Sequence, residues 1–286
     1  MIVTKQDIVK DFANLGIRPT DAIMVHSSMK SFGYVDGGPQ MIIEGLKEVV
    51  KDGTLCFPAL RMHEVYNAYA DWDIEKTPTG VGRIAETFRT SKGVLRSDQE
   101  THSVTAIGKL AKYITEGHRT GKERVCIYGN LAFGYNSPWQ RLYDLNAKVV
   151  LIGVSMVYNT FKHFVETCLA DDILSKLSQE ERVKAESELS NFSSLTPLKY
   201  GESLSVNWKP KGVWFWHDGQ KAQDKMQELG LLTFGKCGNA NLICFSVRQY
   251  FEFMYRELRF NSKEWLDETA VEWIKKYDNE EKCYDY

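Results

Sequence analysis

The segment Lys148-Val-Val-Leu-Ile-Gly153-Val-Ser-Met-Val-Tyr-Asn-Thr160-Phe-Lys-His163-Phe-Val-Glu166 constrains the fold of this chain more than any other. Its apolar start has the length and β-branched content of a buried strand, and its second half has helical character. His163 and Glu166 are three residues apart, so on a helix both side chains leave from one face. A strand that hands such a pair to the C-terminal edge of a sheet puts it where open α/β folds keep their ligand crevices. The same spacing also suits an ordinary helix ion pair, so a proton-handling site needs support from the rest of the chain.

Strand and helix patterns alternate around this segment. Lys5 to Leu15 reads as a helix capped by Thr4, and Ala22 to Val25 as a strand that stops at the hydroxyl-rich loop His26-Ser27-Ser28. The turn Asp36-Gly-Gly-Pro39 opens a helix through Val50, with Pro39 suited to its first turn, and Gly53 to Pro58 is a second strand. Arg61 to Pro78 carries little periodicity and reads as a long loop. Further helices are expected at Gly82–Arg89, Leu110–Glu116 and Asn136–Tyr143, with the Thr101–Gly108 stretch between the first two. Polar helical sequence follows Asp171, then a β-rich aromatic stretch from Val206 to His217, then a strand at Leu242–Phe245 and a helix from Val247. The expected class is α/β, a mixed central sheet flanked by helices with a smaller C-terminal β-rich lobe. Residues 1–286 are expected to form a single domain, with that lobe near 190–235.

Composition removes several functions. Lys plus Arg number 36 and Asp plus Glu 38, for a net charge of −2, with no basic stripe suited to nucleic acid. No apolar run approaches the ~18 residues of a membrane span, and Met1-Ile-Val-Thr-Lys-Gln-Asp lacks the pattern of a signal peptide, so a cytoplasmic protein is expected. The six cysteines are widely spread without a C-x-x-C pair, and no H-E-x-x-H occurs, so the expectation is buried small hydrophobes and no metal.

Two familiar motifs fail on inspection. Gly153-Val-Ser155-Met-Val157 has valine where the hydrolase elbow G-x-S-x-G needs its last glycine, and its histidine follows too soon for that fold's order of catalytic residues. No G-x-G-x-x-G follows the first strand. His26 and His102 both sit in strand-edge sequence and read more simply as hydrogen-bonded structural histidines than as bases. The small hydroxyl residues and glycines beside them suit a phosphate, a pantetheine or a carbonyl oxygen.

Taken in order, the blocks Val25-His26-Ser27-Ser28-Met29 with Gly33 and Gly37-Gly38, Gly53-Thr54-Leu55 with Phe57-Pro58, and Gly82-Arg-Ile-Ala-Glu86-Thr-Phe88-Arg89 resemble the aminoglycoside 3-N-acetyltransferase family. So do Arg96-Ser97 with Ser103, Ala106 and Gly108, Ser137-Pro138, Val150 to Val154, Thr160-x-x-His163-x-x-Glu166, and Gly235-x-x-Gly238-Asn239-Ala240. The collinear agreement covers roughly residues 20 to 245. The chain departs from the family at Asp98-Gln99-Glu100, where members usually carry a His-Pro dipeptide, and the tryptophan-rich stretch matches no family motif.

The resemblance implies a CoA-dependent N-acyltransferase that moves an acetyl or other short acyl group from acyl-CoA to an amine. It makes His163 the general base, Glu166 its partner and Thr160 a neighbour of the thioester. It sets the CoA along His26, Ser27, Ser28, Met29 and Gly33 on one loop and Arg96, Ser97 and Ser103 on another. Expected acceptor contacts are Asp71, Glu86, Gln99, Trp208, Trp214 and Trp216. The tryptophans read most simply as core or interface residues, but a nucleobase stacked on them, with Lys209 or Lys211 near a diphosphate, suits a nucleotide-linked amino sugar for surface polysaccharide synthesis, and the divergence at Asp98 to Glu100 favours that acceptor. An aminoglycoside acceptor, with antibiotic resistance as the outcome, is the alternative, and a non-catalytic CoA- or sugar-binding protein is the reading from another class. The partner is a small-molecule amine, with neither nucleic acid nor membrane, and a homodimer is compatible with the sequence.

Overall fold

The computed structural model describes residues 2–61, 72–189 and 212–278. Strands are β1 (Ile2–Val3), β2 (Ala22–Ser27), β3 (Tyr34–Val35), β4 (Thr54–Pro58), β5 (Leu95–Arg96), β6 (Val104–Gly108), β7 (Lys148–Ile152), β8 (Thr233–Cys237) and β9 (Ala240–Ser246). Seven of them form one mixed sheet in the order β5-β6-β4-β2-β7-β9-β8, and β1 pairs with β3 outside it. The central trio β4-β2-β7 is parallel, and the flanking strands run antiparallel to their neighbours.

Side-chain alternation divides the core between the two sheet faces. Ile23, Val25, Val150 and Ile152 pack on one side with α1 (Lys5–Asn14), α2 (Gly38–Val49) and α3 (Arg83–Arg89). Met24, Val149 and Leu151 pack on the other with α4 (Ala111–Thr115), α5 (Pro138–Asp144) and α6 (Phe161–Ser175). The later helices α7 (Gln179–Glu188), α8 (Gly219–Glu228) and α9 (Val247–Phe260) also contribute to this second core. The α/β class and the mixed sheet expected from sequence are what the chain forms.

Because β6 and β9 run antiparallel, the starts of both lie at the same sheet edge as the ends of β2, β4 and β7. One edge thereby collects Ser27-Ser28, Ala59, Gln99 to Ser103, Gly153 to Thr160 and Gly238-Asn239. Family blocks far apart in sequence meet there. Asn239 N–H bonds the Phe32 carbonyl at 3.1 Å, and its side chain lies so close over Gly33 that a Cβ there would sit 2.8 Å from Nδ2. Gly153 has φ +62° and passes against Ser31, where any Cβ would overlap the serine side chain.

Two expectations change in detail. The first strand continues past Val25 through His26 and Ser27, because both residues keep their register with Leu151 and Ile152 of β7. The described part of the aromatic stretch, 212–217, forms no strand, only an isolated bridge between Leu189 and Val213. Its large side chains are drawn into the second core instead, with Trp214 and Phe215 buried there. β8 and β9, the C-terminal strands, belong to the main sheet.

Candidate active site

α6 starts after a one-turn 3-10 segment, and Asn159 Oδ1 accepts from Phe161 N–H at 3.2 Å in its first turn. Thr160 occupies the N-cap position and is buried, one turn ahead of His163. No proline or glycine interrupts the helix, and ten of its fifteen residues are buried, Glu166, Thr167 and Asp171 among them, so it lies within the core rather than on the surface. That position leaves Glu166 fully buried.

A buried carboxylate is costly without partners, and Glu166 has three. Its Oε2 accepts from His163 Nδ1 at 2.9 Å and from the Trp214 indole N–H at 3.1 Å. His217 Nδ1 stands 3.0 Å from Oε1, close but off the ideal hydrogen-bond line, so this contact is chiefly electrostatic. Burial pushes the carboxyl pKa upward, but the two imidazoles outweigh it and bring it down to about 2. Glu166 is therefore ionised at neutral pH.

An ionised carboxylate only accepts, so Nδ1 of His163 carries the proton and Nε2 carries the ring's lone pair. His163 Nε2 faces the Tyr128 hydroxyl at 3.2 Å, and His217 Nε2 faces the Tyr250 hydroxyl at 3.3 Å. One carboxylate thus orients two imidazoles, each meeting a tyrosine on its far side. Burial lowers the His163 pKa and Glu166 opposes it, with a net shift downward, so the ring is neutral at pH 7. The group is chemically a base with a fixed tautomer, its one ring lone pair on Nε2 facing the Tyr128 hydroxyl.

Aromatic rings surround that base. Tyr128, Trp216, His102 and Phe133 have centroids 4.7, 5.6, 6.0 and 6.3 Å from the His163 ring. Tyr128 rides on the irregular stretch between α4 and α5. Arg124 holds this stretch by bonding the Phe133 carbonyl and Gln140 and pairing with Asp171 on α6. Thr101 Oγ1 donates to the Tyr128 carbonyl at 3.0 Å.

The expected CoA-contact residues divide into two groups. His26 is buried on the sheet face covered by α6, its Nε2 has no hydrogen-bond partner among the described residues, and burial pushes its pKa down to about 4. Ser27, Ser28, Met29 and Gly33 follow it along the same edge, with Ser28 N–H bonded to the Ile152 carbonyl. The second group is committed to internal bracing. Arg96 donates to Ser103 Oγ at 3.0 Å and to the Ala59 carbonyl at 3.0 Å, and its guanidinium lies over Trp72. Ser97 is fully buried between Val104 N–H and His118, and Ser103 donates to the Ala59 carbonyl.

The acceptor candidates scatter more widely. Asp71 and Trp208 lie outside the described residues, as do Lys209 and Lys211. Glu86 is bound to Arg89 and accepts from Thr79 N–H. Gln99 is buried, and its side-chain oxygen accepts from the backbone N–H groups of Thr101 and His102. That bond set braces the loop in which family members carry proline. Trp214 is 2% exposed with its N–H on Glu166, so its face is closed to a nucleobase, whereas Trp216 is half-buried beside His163.

Tyr128, His217 and the role of Trp214 were not legible in the sequence. No local spacing joins them to His163, since Tyr128 is 35 residues before it and Trp214 is 48 residues after Glu166. The only signal was the aromatic density around Trp214 to His217.

An α/β sheet whose edge carries an imidazole fixed by a buried carboxylate is the framework of a protein that presents a base. The chain matches the aminoglycoside 3-N-acetyltransferase family over residues 24–259 and belongs to that family. Among its relatives is the SPbeta prophage-derived aminoglycoside N(3')-acetyltransferase-like protein YokD of Bacillus subtilis, 31% identical over 184 residues. That match covers 57% of this chain and 64% of YokD. Aminoglycoside N(3)-acetyltransferase III of Serratia marcescens is 31% identical over 180 residues, covering 57% of this chain and 64% of the relative. The matches therefore span a little under two thirds of these relatives' length.

In solved structures, the YokD crystal structure superposes with a TM-score of 0.67 at 23% identity, covering 92% of this chain and 96% of that one. AAC-IIIb in binary complex with CoASH gives 0.66 at 19% identity, covering 91% and 98%. These likenesses establish the fold. These relatives are named for aminoglycosides rather than nucleotide-linked sugars, and the burial of Trp214 removes one support of the expected nucleotide-sugar preference, so that expectation is withdrawn. Among the described residues, no helix is long and apolar enough to cross a membrane, and no cluster of side chains could hold a metal ion.

Proposed function

We propose that this protein is an acetyl-CoA-dependent N-acetyltransferase acting on an amine of an aminoglycoside, with His163 as general base. The observation that carries the proposal is the His163–Glu166 contact at 2.9 Å, which fixes a neutral imidazole with its lone pair on Nε2. Family membership supplies the substrate class, since the relatives are named for aminoglycosides and one structural neighbour is named as a complex with CoASH.

Acetyl-CoA supplies the acetyl group as a thioester. An alkyl ammonium with a lysine-like pKa of about 10.4 is about 3.4 units from half-neutral at pH 7, roughly 4.6 kcal/mol that a base can help to offset. His163 Nε2 takes the proton from the attacking nitrogen as the C–N bond forms, Glu166 stabilises the resulting imidazolium, and the C–S bond breaks with the proton passing to the departing sulfur, so that CoA leaves as the thiol. Trp214 and His217 hold Glu166 so that the ring cannot turn. In this reading the pantetheine arm runs along His26, whose Nε2 has no partner among the described residues, and the loop to Gly33, while Thr160, buried at the N-cap one turn ahead of His163, serves the thioester carbonyl.

The test is release of CoA thiol from acetyl-CoA, followed spectrophotometrically across a panel of aminoglycosides. The proposal expects release that depends on at least one of them. Binding of CoA with no release for any member overturns it in favour of a binding protein.

A further inference from the structure

The Tyr128 hydroxyl stands on the one nitrogen of His163 that can accept a proton. Nδ1 is committed to Glu166, so Nε2 carries the sole ring lone pair, and Tyr128 meets it at 3.2 Å. Burial raises the phenol well above its usual pKa, so the hydroxyl keeps its proton and donates. An imidazole nitrogen has one in-plane lone pair and cannot serve a tyrosine and an incoming amine together.

We infer that Tyr128 caps the base, and that an acceptor amine reaches His163 only by replacing the tyrosine hydroxyl on Nε2. The inference about the cap stands on geometry, and its meaning for the acceptor rests on the function proposed above. The backbone of Tyr128 is tied through its carbonyl to Thr101, and Gly129 follows at φ +96°, so uncapping is a rotation of the side chain from a fixed anchor. The ring turns among His102 at 4.4 Å, Trp216 at 6.3 Å and Phe133 at 6.4 Å. The place the hydroxyl leaves is the place of the reacting nitrogen, and Trp216, half-buried and edge-on to both rings, forms its wall. The cap therefore acts as a specificity element, because an acceptor must present an N–H able to take over the hydrogen bond from Tyr128. It also keeps the base from reacting with other electrophiles while no acceptor is bound.

The test compares wild type with Tyr128→Phe, which keeps the ring and removes only the hydroxyl. Diethyl pyrocarbonate modifies an imidazole through a free lone pair, and its attachment to His163 can be timed by peptide mass spectrometry on the acceptor-free protein. Loss of one neutral hydrogen bond, about 1 kcal/mol net, predicts His163 modification on the order of 5-fold faster in the variant. Histidine-selective ¹⁵N NMR gives a second readout, in which the Nε2 resonance of His163 moves toward that of an unbonded lone pair. In the thiol-release assay, kcat/KM for the amine rises by a similar factor. Unchanged or slower modification in a variant that melts like wild type overturns the cap. A fall in kcat with faster modification overturns the specificity role and makes the hydroxyl part of the chemistry instead. Absence of thiol release in wild type would count against the proposed function and leave the modification result to judge the cap.

Discussion

The indole N–H of Trp214 donates to Oε2 of Glu166 at 3.1 Å, the same oxygen that takes the Nδ1–H of His163. A residue from beyond the sheet's central strands thus completes the acid end of the site. Trp214→Phe keeps most of the buried ring and removes this donor. A hydrogen bond to a charged group contributes about 1.5–3 kcal/mol, so the variant should lose roughly tenfold to 150-fold in kcat with little change in the KM for acetyl-CoA. Steady-state kinetics on both substrates checks the split.

His217 approaches the other oxygen of the same carboxylate. Its contact is electrostatic and off-line, so removal should cost less, on the order of tenfold in kcat for His217→Gln. The readout that separates this from general destabilisation is the pH–rate profile. His217 also helps to hold the His163 pKa down, so without it the base protonates more readily and the acid limb of the profile moves to higher pH.

Gly153 needs its positive φ and its bare Cα, since a Cβ would overlap Ser31. Gly153→Ala should cost at least the 1–2 kcal/mol of a left-handed non-glycine residue, about 2–8 °C of melting temperature in a domain this large. Differential scanning calorimetry measures it.

Stability should fall as acid is added, beginning above the carboxylate range. Burial lowers the pKa of His26 and of His118 from 6.5 to about 4, and lowers His102 and His163 as well. Below pH 6.5 the unfolded chain binds protons that the folded chain excludes, so each of His26 and His118 removes up to about 1.4 kcal/mol per pH unit down to its folded value. Glu166, held at about 2 against an ordinary 4.5, extends the loss below pH 4.5. Urea midpoints at pH 7, 6 and 5 should decline in that order.

The sequence made the sheet and the dyad legible because both are local. Val149 to Ile152 is a single apolar run, and His163 and Glu166 are one helical turn apart. It was silent where the chain folds back on itself. Gln99 read as an acceptor contact because its sequence position diverges from the family, yet its side chain braces a turn that proline would otherwise stiffen. Arg96 likewise bears a family motif, but its donors reach Ala59, 37 residues earlier, and nothing in the local sequence predicts that partner. Trp214 was read as a stacking platform on composition alone, and only the fold reveals that Glu166 needs its N–H.

The central claim is that His163 removes the amine proton. It is tested most directly by single-turnover thiol release with His163→Ala at saturating acetyl-CoA and aminoglycoside, alongside calorimetric titration of CoA. General-base catalysis contributes about 10²–10⁴-fold, so the variant should release thiol at least a hundredfold more slowly than wild type while its affinity for CoA stays within a few-fold. Thiol release at the wild-type rate in the variant would contradict the claim.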